Sequence, residues 1–306
     1  MTKVDLITGF LGSGKTSFLK LYVNHLLLKG LKVGIIENDY GAVNVDMMLL
    51  SQLADKGVEI ETIAGACDYD CHKRRFKTKL IAMGMQNFDR VIIEPSGIFD
   101  VDEFFDIIHE EPLERWYEIG SVIAIVDASA ENNLSEYSSY ILASQTANAG
   151  TVVFSKTQLT DSSHIDSTIN ELNGALKSVK CNRVIGKKDI ISKNWSELTE
   201  KDFELISNCG YNINDFQKHS SDSGYSSVYI MNSGVTPQTI KDITRRLFKK
   251  EYGKVFRVKG FIKEGENWLE LNATENQFEL KPIKNGQDII IVIGEKINEE
   301  KIKGKF

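Results

Sequence analysis

The sequence predicts a three-layer α/β domain with a mostly parallel sheet, followed by a small α+β domain. Short apolar segments alternate with segments of helical periodicity through the first two thirds of the 306 residues. This order is typical of parallel strands joined by crossover helices. A glycine-rich turn separates the first predicted strand from the first predicted helix. After about Cys209 several strand-like segments follow one another, which indicates an antiparallel sheet.

The first predicted domain covers residues 1–219, and its elements follow one another in a regular order. Apolar runs such as Val91-Ile92-Ile93 are typical of parallel strands that are buried on both faces. We predict strands at residues 3–7, 32–37, 88–94, 122–127 and 151–155. We predict helices at residues 17–29, 73–85, 101–110, 136–147 and 162–176. Ligands of such sheets bind at the carboxyl ends of the strands, so the segments that follow the strands form the candidate site.

The second predicted domain covers residues 220–306 and begins with a polar segment. Residues 220–227 are rich in serine, and we interpret them as the linker between the domains. We predict strands at residues 228–232, 255–262, 267–273, 277–281 and 288–293. Predicted helices at residues 237–251 and from about residue 298 complete this domain.

Composition and charge exclude several classes of protein. A hydrophobic content of 42% and a charged content of 26% are typical of a soluble domain. The net charge of −6 argues against a nucleic-acid partner, because binding to phosphate backbones needs a basic surface. No apolar run approaches the roughly 18 residues of a membrane span, and the first residues lack a signal-peptide pattern. Four cysteines do not indicate a disulfide framework. We therefore expect a cytoplasmic protein without a nucleic-acid or membrane partner.

A phosphate-binding motif follows the first predicted strand. Gly9 and Gly14 are separated by four residues, and Lys15 and Thr16 come next. In this P-loop pattern the backbone N–H groups surround phosphate oxygens, the lysine contacts the β- and γ-phosphates, and the hydroxyl binds Mg²⁺. The positive amino end of the following helix strengthens the site. The candidate phosphate-binding residues are Gly9, Gly12, Ser13, Gly14, Lys15, Thr16 and Ser17.

Acidic residues end the second and third predicted strands. Glu37 and Asp39 lie at the end of the second strand, and Glu94 ends the third. Carboxylates at this edge suit Mg²⁺ and its bound water, and we assign Asp39 and Glu94, together with Lys15, to catalysis. Gly97 follows Glu94 closely. Its N–H can contact a γ-phosphate, which would make this loop a nucleotide-sensitive switch.

Three motifs together resemble the CobW family of P-loop GTPases, which are relatives of HypB and UreG. The motifs are GFLGSGKT at the P-loop, IENDYGAVNVD after the second strand and IIEPSG at the third. Further along, VFRVKGFIKEGENWLEL and IIIVIGEKINEEKI resemble the small C-terminal domain of the family. The resemblance implies a P-loop NTPase that hydrolyses GTP with Mg²⁺ and acts in metal insertion or trafficking. It also implies a client metalloprotein as partner, and homodimer formation stays open.

The chain departs from the family at its metal-binding motif. The family carries Cys-x-Cys-Cys, whereas this chain has Cys67, Cys71 and His72. A cysteine pair at this spacing can reach one metal ion. His72 and a carboxylate such as that of Glu37 can complete a site for Zn²⁺ or Co²⁺. A redox pair and unligated thiols are the alternatives.

A second departure concerns the motif that binds the base. The family carries Asn-Lys-x-Asp, whose aspartate accepts two hydrogen bonds from guanine, whereas this chain has Ser155, Lys156 and Gln158 at these positions. Loss of the charged acceptor lowers the preference for guanine, so both GTP and ATP are candidate nucleotides. Asp161 lies three residues further on and is an alternative acceptor.

These observations predict a nucleotide-dependent metallochaperone or metallocofactor-insertion factor. It would couple hydrolysis of GTP, or of ATP, to delivery of a transition metal. One alternative is a metal-independent, NTP-driven activator of a metalloenzyme or corrinoid protein. Another is a nucleotide-sensing binding module with negligible turnover. A small-molecule kinase is disfavoured, because the chain carries neither an arginine-rich lid motif nor a second substrate motif.

Overall fold

In this computed structural model the described residues are 1–39, 50, 52–64, 69–130, 134–217, 225–283 and 286–306. The chain forms two compact units, Met1–His219 and Ser220–Phe306. Each unit has its own sheet and its own apolar core. No helix within the described ranges is long and apolar enough to span a lipid bilayer.

A parallel sheet forms the centre of the first unit. Its described strands are β1 Thr2–Gly9, β2 Val33–Asp39, β3 Glu59–Ala64, β4 Arg90–Pro95, β5 Tyr117–Asp127, β6 Thr151–Ser155 and β7 Ile190–Ile191. They lie in the order β3-β2-β4-β1-β5-β6-β7, and each neighbouring pair is parallel. The predicted parallel sheet is therefore confirmed. Because β1 lies between β4 and β5, the turns that follow these three strands meet at one edge.

Helices connect these strands, and four of them carry polar side-chain caps at their amino ends. The described helices are α1 Lys15–Leu28, α2 Tyr69–Gly84, α3 Val101–Ile108, α4 Glu136–Ala147, α5 Ser162–Ser178 and α6 Glu200–Ser207. Ser135 caps α4 by accepting a hydrogen bond from the Ser138 N–H, which satisfies one of the backbone donors that a helix start leaves unpaired. Every residue of α4 from Tyr140 to Ala147 is buried, so this helix lies inside the unit.

The packing of α1 on the sheet sets the position of the P-loop. Phe18 and Leu19 of α1 are fully buried in one cluster with Ile7 of β1, Ile35 of β2 and Ile92 of β4. Burying each such side chain contributes about 1.5–3 kcal/mol. The turn between β1 and α1 is therefore held from both of its ends.

The second unit is an antiparallel sheet with two described helices. Its strands are β8 Tyr225–Met231, β9 Lys254–Glu264, β10 Asn267–Thr274, β11 Gln277–Ile283 and β12 Ile289–Glu295, and its helices are α7 Pro237–Leu247 and α8 Glu299–Lys303. The strand order is β11-β10-β9-β12-β8. Val258 and Val292 share a core with Ile240 of α7 and Ile302 of α8. The predicted α+β class of this part of the chain is confirmed.

The structure differs from the predicted elements in several places. The sequence does not predict β3, β7 or α6, because these elements are short or partly exposed and lack a long apolar run. In β3, only Ile63 is buried among the five residues from 59 to 63. The first helical residue of α2 is Tyr69 rather than residue 73, and the last of α7 is Leu247 rather than residue 251. Tyr225 already belongs to β8, so the predicted linker extends too far.

Candidate functional site

The turn after β1 has the backbone conformation that the P-loop pattern predicts. Gly9 has a φ of 148°, and a Cβ there would lie 2.2 Å from the carbonyl oxygen of Ile125. Gly14 has a φ of 97° and is the N-terminal cap of α1. Only glycine adopts such conformations without strain or collision. The strand, turn and helix that this motif requires are therefore all present.

Ser13 and Lys15 are buried polar side chains of this turn. Ser13 is 1% exposed, and its Oγ makes no hydrogen bond to any residue of the described part of the chain. Lys15 Nζ lies 2.9 Å from the Gly9 carbonyl oxygen and 3.4 Å from that of Phe10. A buried hydroxyl and an ammonium group beside a glycine-rich turn fit an anionic ligand. Ser17, by contrast, is exposed on the first turn of α1.

Acidic side chains from β2 and β4 lie beside the P-loop. Thr16 Oγ1 donates a hydrogen bond of 2.6 Å to Glu94 Oε1. Glu37 is the register partner of Glu94 on the neighbouring strand, and both residues are buried. These hydroxyl and carboxylate oxygens are suitable ligands for Mg²⁺. The backbone of Asp39 ends β2, and its side chain lies outside the described residues.

Gly97 brings the loop after β4 against the P-loop. Gly97 is buried, and a Cβ there would lie 2.6 Å from Leu11 N and 2.8 Å from Leu11 Cα. A larger residue would therefore separate the two loops. The structure places Gly97 against the P-loop, and the contact of its N–H with a γ-phosphate stays a prediction.

The loop after β6 carries the residues that we assign to the base. Ser155 is buried at the end of β6. Lys156 has a φ of 56°, and its Nζ lies 2.5 Å from Asp127 Oδ2. Gln158 is exposed within a short 3₁₀ turn. The lysine of the motif is thus anchored to the end of β5, and Gln158 is accessible to a ligand.

Asp161 forms a helix cap. Its Oδ1 accepts hydrogen bonds of 2.6 Å from the Ser163 hydroxyl and 2.9 Å from the His164 N–H. These hydrogen bonds lower the pKa of the Asp161 carboxyl and stabilise the start of α5. The geometry therefore argues against Asp161 as the acceptor for a guanine base.

Replacing Gln158 with aspartate is expected to raise the preference for GTP over ATP by about ten- to a hundredfold. A carboxylate can accept both guanine donors, and hydrogen bonds to charged groups contribute about 1.5–3 kcal/mol. Competition of GTP and ATP against a fluorescent nucleotide measures the ratio. Asp161→Ala is the control, because it removes the helix cap and leaves residue 158 unchanged. An unchanged ratio in Gln158→Asp would contradict the assignment of this loop to the base.

Trp195 is a neighbour of the P-loop that no sequence motif indicates. Its Nε1 donates a hydrogen bond of 2.9 Å to the carbonyl oxygen of Phe154, 41 residues away. A Cβ on Gly14 would lie 3.0 Å from the Trp195 indole. The indole also packs edge-to-face on Phe18, with 5.4 Å between the ring centroids. Trp195 therefore joins the end of β6 to the amino end of α1.

The candidate transition-metal residues lie outside the described side chains. Cys67 falls within residues 65–68, and the backbones of Cys71 and His72 lie in the first turn of α2. β3 ends at Ala64, the register partner of Asp39, so the chain leaves β3 at the edge where β2 ends. Among the described residues, no group of three or more His, Cys, Asp or Glu side chains could hold a metal ion.

The sequence is similar to those of known proteins. The nucleotide-binding domain of the CobW/HypB/UreG family matches residues 3–183. The chain is 32% identical over 167 residues to the zinc chaperone YjiA of Escherichia coli strain K12. The aligned region covers 51% of this chain and 49% of YjiA. It is also 32% identical over 131 residues to the zinc chaperone YeiR of the same strain. That aligned region covers 42% of this chain and 38% of YeiR. The chain thus matches about half, or less, of the length of these curated relatives.

The crystal structure of Zn(II)-bound YjiA GTPase from E. coli aligns with 100% of this chain and 98% of that chain, at 17% sequence identity and a TM-score of 0.36. The sequence match to the family's nucleotide-binding domain covers the P-loop, both acidic strand ends and the loop after β6. On that match, the chain belongs to the CobW/HypB/UreG family.

Proposed function

We propose that the chain hydrolyses GTP and couples this reaction to delivery of a transition metal to a client metalloprotein. The observation that carries the proposal is the 2.6 Å contact between Thr16 Oγ1 and Glu94 Oε1, because it joins the P-loop to the acidic end of β4. Relatives that are named zinc chaperones support a metal cargo. We also propose a cytoplasmic location, where thiols stay reduced.

The P-loop would bind and orient the nucleotide. Backbone N–H groups of the turn that ends at Gly14 would surround the phosphates, and Lys15 Nζ would move from the Gly9 carbonyl to a phosphate oxygen. Thr16 and Glu94 would hold Mg²⁺, which neutralises phosphate charge when it is bound. The backbone of the turn is held by β1 and α1, so its N–H groups need little reorganisation to act.

Glu94 is the group that we assign to the attacking water. In phosphoryl transfer the protein contributes mainly by positioning and by neutralising charge. The Glu94 carboxylate would accept a hydrogen bond from water and align it with the γ-phosphorus. Lys15 would neutralise the charge that develops on the oxygen between the β- and γ-phosphorus atoms. GDP and inorganic phosphate are the products.

Cys67, Cys71 and His72 are the proposed ligands of the cargo. They follow β3 in the sequence, and the last residue of β3 pairs in register with Asp39. Thiolate and imidazole ligands suit Zn²⁺, and Co²⁺ takes the same kind of site. Metal bound by these residues would respond to hydrolysis of the nucleotide, because β3 pairs with β2 and β2 pairs with the strand that carries Glu94.

Titration of the metal-free full chain tests the nucleotide and metal parts together. We expect tighter binding of GTP than of ATP, and we expect Zn²⁺ or Co²⁺ to tighten nucleotide binding. Linkage requires the nucleotide to tighten metal binding by the same factor. Absence of GTP binding would overturn the proposal. Binding of nucleotide without any effect of metal would remove its metal part.

Replacing both Cys67 and Cys71 with serine is expected to abolish the thiolate-to-Co²⁺ charge-transfer band and to lower Zn²⁺ affinity at least a hundredfold, because serine does not replace a thiolate ligand. Absorption spectroscopy and competition with a zinc chelator measure these effects. Cys181→Ala is the matched control, since Cys181 is a buried free thiol far from these positions in the sequence. Unchanged affinity in the double variant would show that the two thiols are not ligands.

A further inference from the structure

Gln145 is a buried polar side chain on α4 that contacts the loop after Glu94. Its exposed fraction is 0%, and its Nε2 donates a hydrogen bond of 3.1 Å to the carbonyl oxygen of Gly97. Its Oε1 is buried and makes no hydrogen bond with the residues that the structure describes. Burying an amide that is only partly hydrogen-bonded costs free energy of folding. Gln145 therefore stabilises the fold less than an apolar residue at this position would.

The Gly97 backbone lies between two fixed elements. On one side is the P-loop, where a Cβ at Gly97 would come within 2.6 Å of Leu11 N. On the other side is α4, where the Gln145 amide donates a hydrogen bond to the Gly97 carbonyl oxygen. A hydrogen bond to this carbonyl restricts rotation of the peptide between residues 97 and 98, and hence the conformation of the glycine that meets the P-loop.

The far end of the same loop is held by the same helix. Asp100 Oδ1 accepts a hydrogen bond of 2.7 Å from the Ser144 hydroxyl, and Asp100 Oδ2 accepts one of 2.6 Å from the Tyr140 hydroxyl. The Val101 N–H donates to Ser144 Oγ at 3.1 Å. With both ends attached to α4, the loop from Gly97 to Asp100 is held against the P-loop before any nucleotide arrives.

We propose that Gln145 is a positioning residue that holds Gly97 ready for the terminal phosphate of a nucleoside triphosphate. This inference rests on the proposed function, because it needs a nucleotide at the P-loop. Without Gln145 the loop samples other conformations, and the affinity falls by the fraction of molecules in the competent one. A diphosphate has no γ-phosphate for Gly97 to contact, so its affinity does not depend on Gln145.

Gln145→Met tests the proposal, because methionine keeps the length of the side chain and removes the donor. We expect the full-length variant to bind a non-hydrolysable GTP analogue about five- to tenfold more weakly, which is the effect of one hydrogen bond, and to bind GDP within twofold of the unmodified chain. Isothermal titration calorimetry measures both affinities. Equal losses for the two nucleotides, or no loss for either, would overturn the proposal.

Thr146→Val is the matched control on the same helix. Thr146 is also fully buried, but its hydroxyl donates within the helix to the Leu142 carbonyl oxygen at 2.7 Å. We expect this variant to keep the affinity ratio between the GTP analogue and GDP. A changed ratio in Thr146→Val would show that any perturbation of α4 has the effect, and would overturn the specific role of Gln145.

Hydrogen exchange of the unmodified chain gives a second measurement if Gln145→Met does not fold. Backbone amides of residues 97–101 are expected to be protected in the nucleotide-free chain about as well as with the GTP analogue, because α4 already holds this loop. Fast exchange in the nucleotide-free chain that slows only when the GTP analogue binds would overturn the proposal. A chain that binds no nucleotide would overturn the proposed function, whereas nucleotide binding with a fast-exchanging free loop would overturn only the role of Gln145.

Discussion

Replacing Lys15 with alanine is expected to lower kcat/KM for GTP hydrolysis by about two to three orders of magnitude, the scale for removing one preorganised group that stabilises transition-state charge. Lys15 is 7% exposed, and its ammonium lies over the turn at 2.9 Å from the Gly9 carbonyl oxygen. A charge in a site with little water acts more strongly on a phosphate than a charge on the surface does. Release of inorganic phosphate measures the effect.

Lys187→Ala is the control for this substitution. The Lys187 side chain is 77% exposed and pairs with Asp166 at 2.8 Å. Exposed ion pairs of this kind contribute at most about 1 kcal/mol, and we expect hydrolysis by the control to remain unchanged. Hydrolysis by Lys15→Ala at the rate of the unmodified chain would mean that the reaction occurs elsewhere, and the assignment of the P-loop to catalysis would be wrong.

Replacing Arg90 with methionine is expected to lower the free energy of unfolding by about 3–5 kcal/mol, the cost of leaving one partner of a buried ion pair uncompensated. Arg90 Nη1 donates to Asp5 Oδ2 at 2.6 Å, and Arg90 Nη2 donates to the Ser207 carbonyl oxygen at 2.9 Å. Asp5 is 0% exposed. The ion pair links β1, β4 and the end of α6, so its loss affects the sheet that carries the P-loop.

Other groups around Asp5 make the substitution more severe. The Tyr22 hydroxyl donates to Asp5 Oδ2 at 2.8 Å, and the Ser121 N–H donates to Asp5 Oδ1 at 2.8 Å. A Cβ on Gly120 would lie 2.3 Å from Asp5 Oδ1, so the backbone of β5 packs closely on this carboxyl group. In Arg90→Met the carboxylate would keep these two donors but lose its counter-charge, and water has no access to replace it.

The double variant Asp5→Asn with Arg90→Met separates loss of the ion pair from loss of packing. The amide oxygen of asparagine still accepts the hydrogen bond from the Ser121 N–H, its NH₂ group can donate to the Tyr22 hydroxyl oxygen, and no charge is left buried. We expect the double variant to be more stable than Arg90→Met alone, with a coupling energy of about 1–3 kcal/mol. Urea unfolding of the full chain, followed by circular dichroism, measures the transition midpoints. Simple addition of the two single-variant losses would show that the residues act independently.

The sequence was sufficient for the parts of this protein that depend on neighbouring residues. The glycine spacing from Gly9 to Gly14 predicts the conformation of the turn between β1 and α1, because each backbone conformation there is a local requirement. The apolar run that ends in Glu94 predicts a buried parallel strand with a carboxylate at its end. Both features are present, and the family that they indicate is confirmed by the match over residues 3–183.

Only the tertiary structure could decide which distant residues meet. Gln145 reaches Gly97 across 48 residues, and Arg90 reaches Asp5 across 85. Such pairs follow from the order of the strands and the packing of helices on them, and no local pattern of hydrophobicity contains that information. The sequence also did not predict the edge strand β3, because β3 is stabilised by pairing with β2 rather than by its own residues. Local chemistry therefore identifies the groups that can bind phosphate, and three-dimensional packing decides which side chains hold them in place.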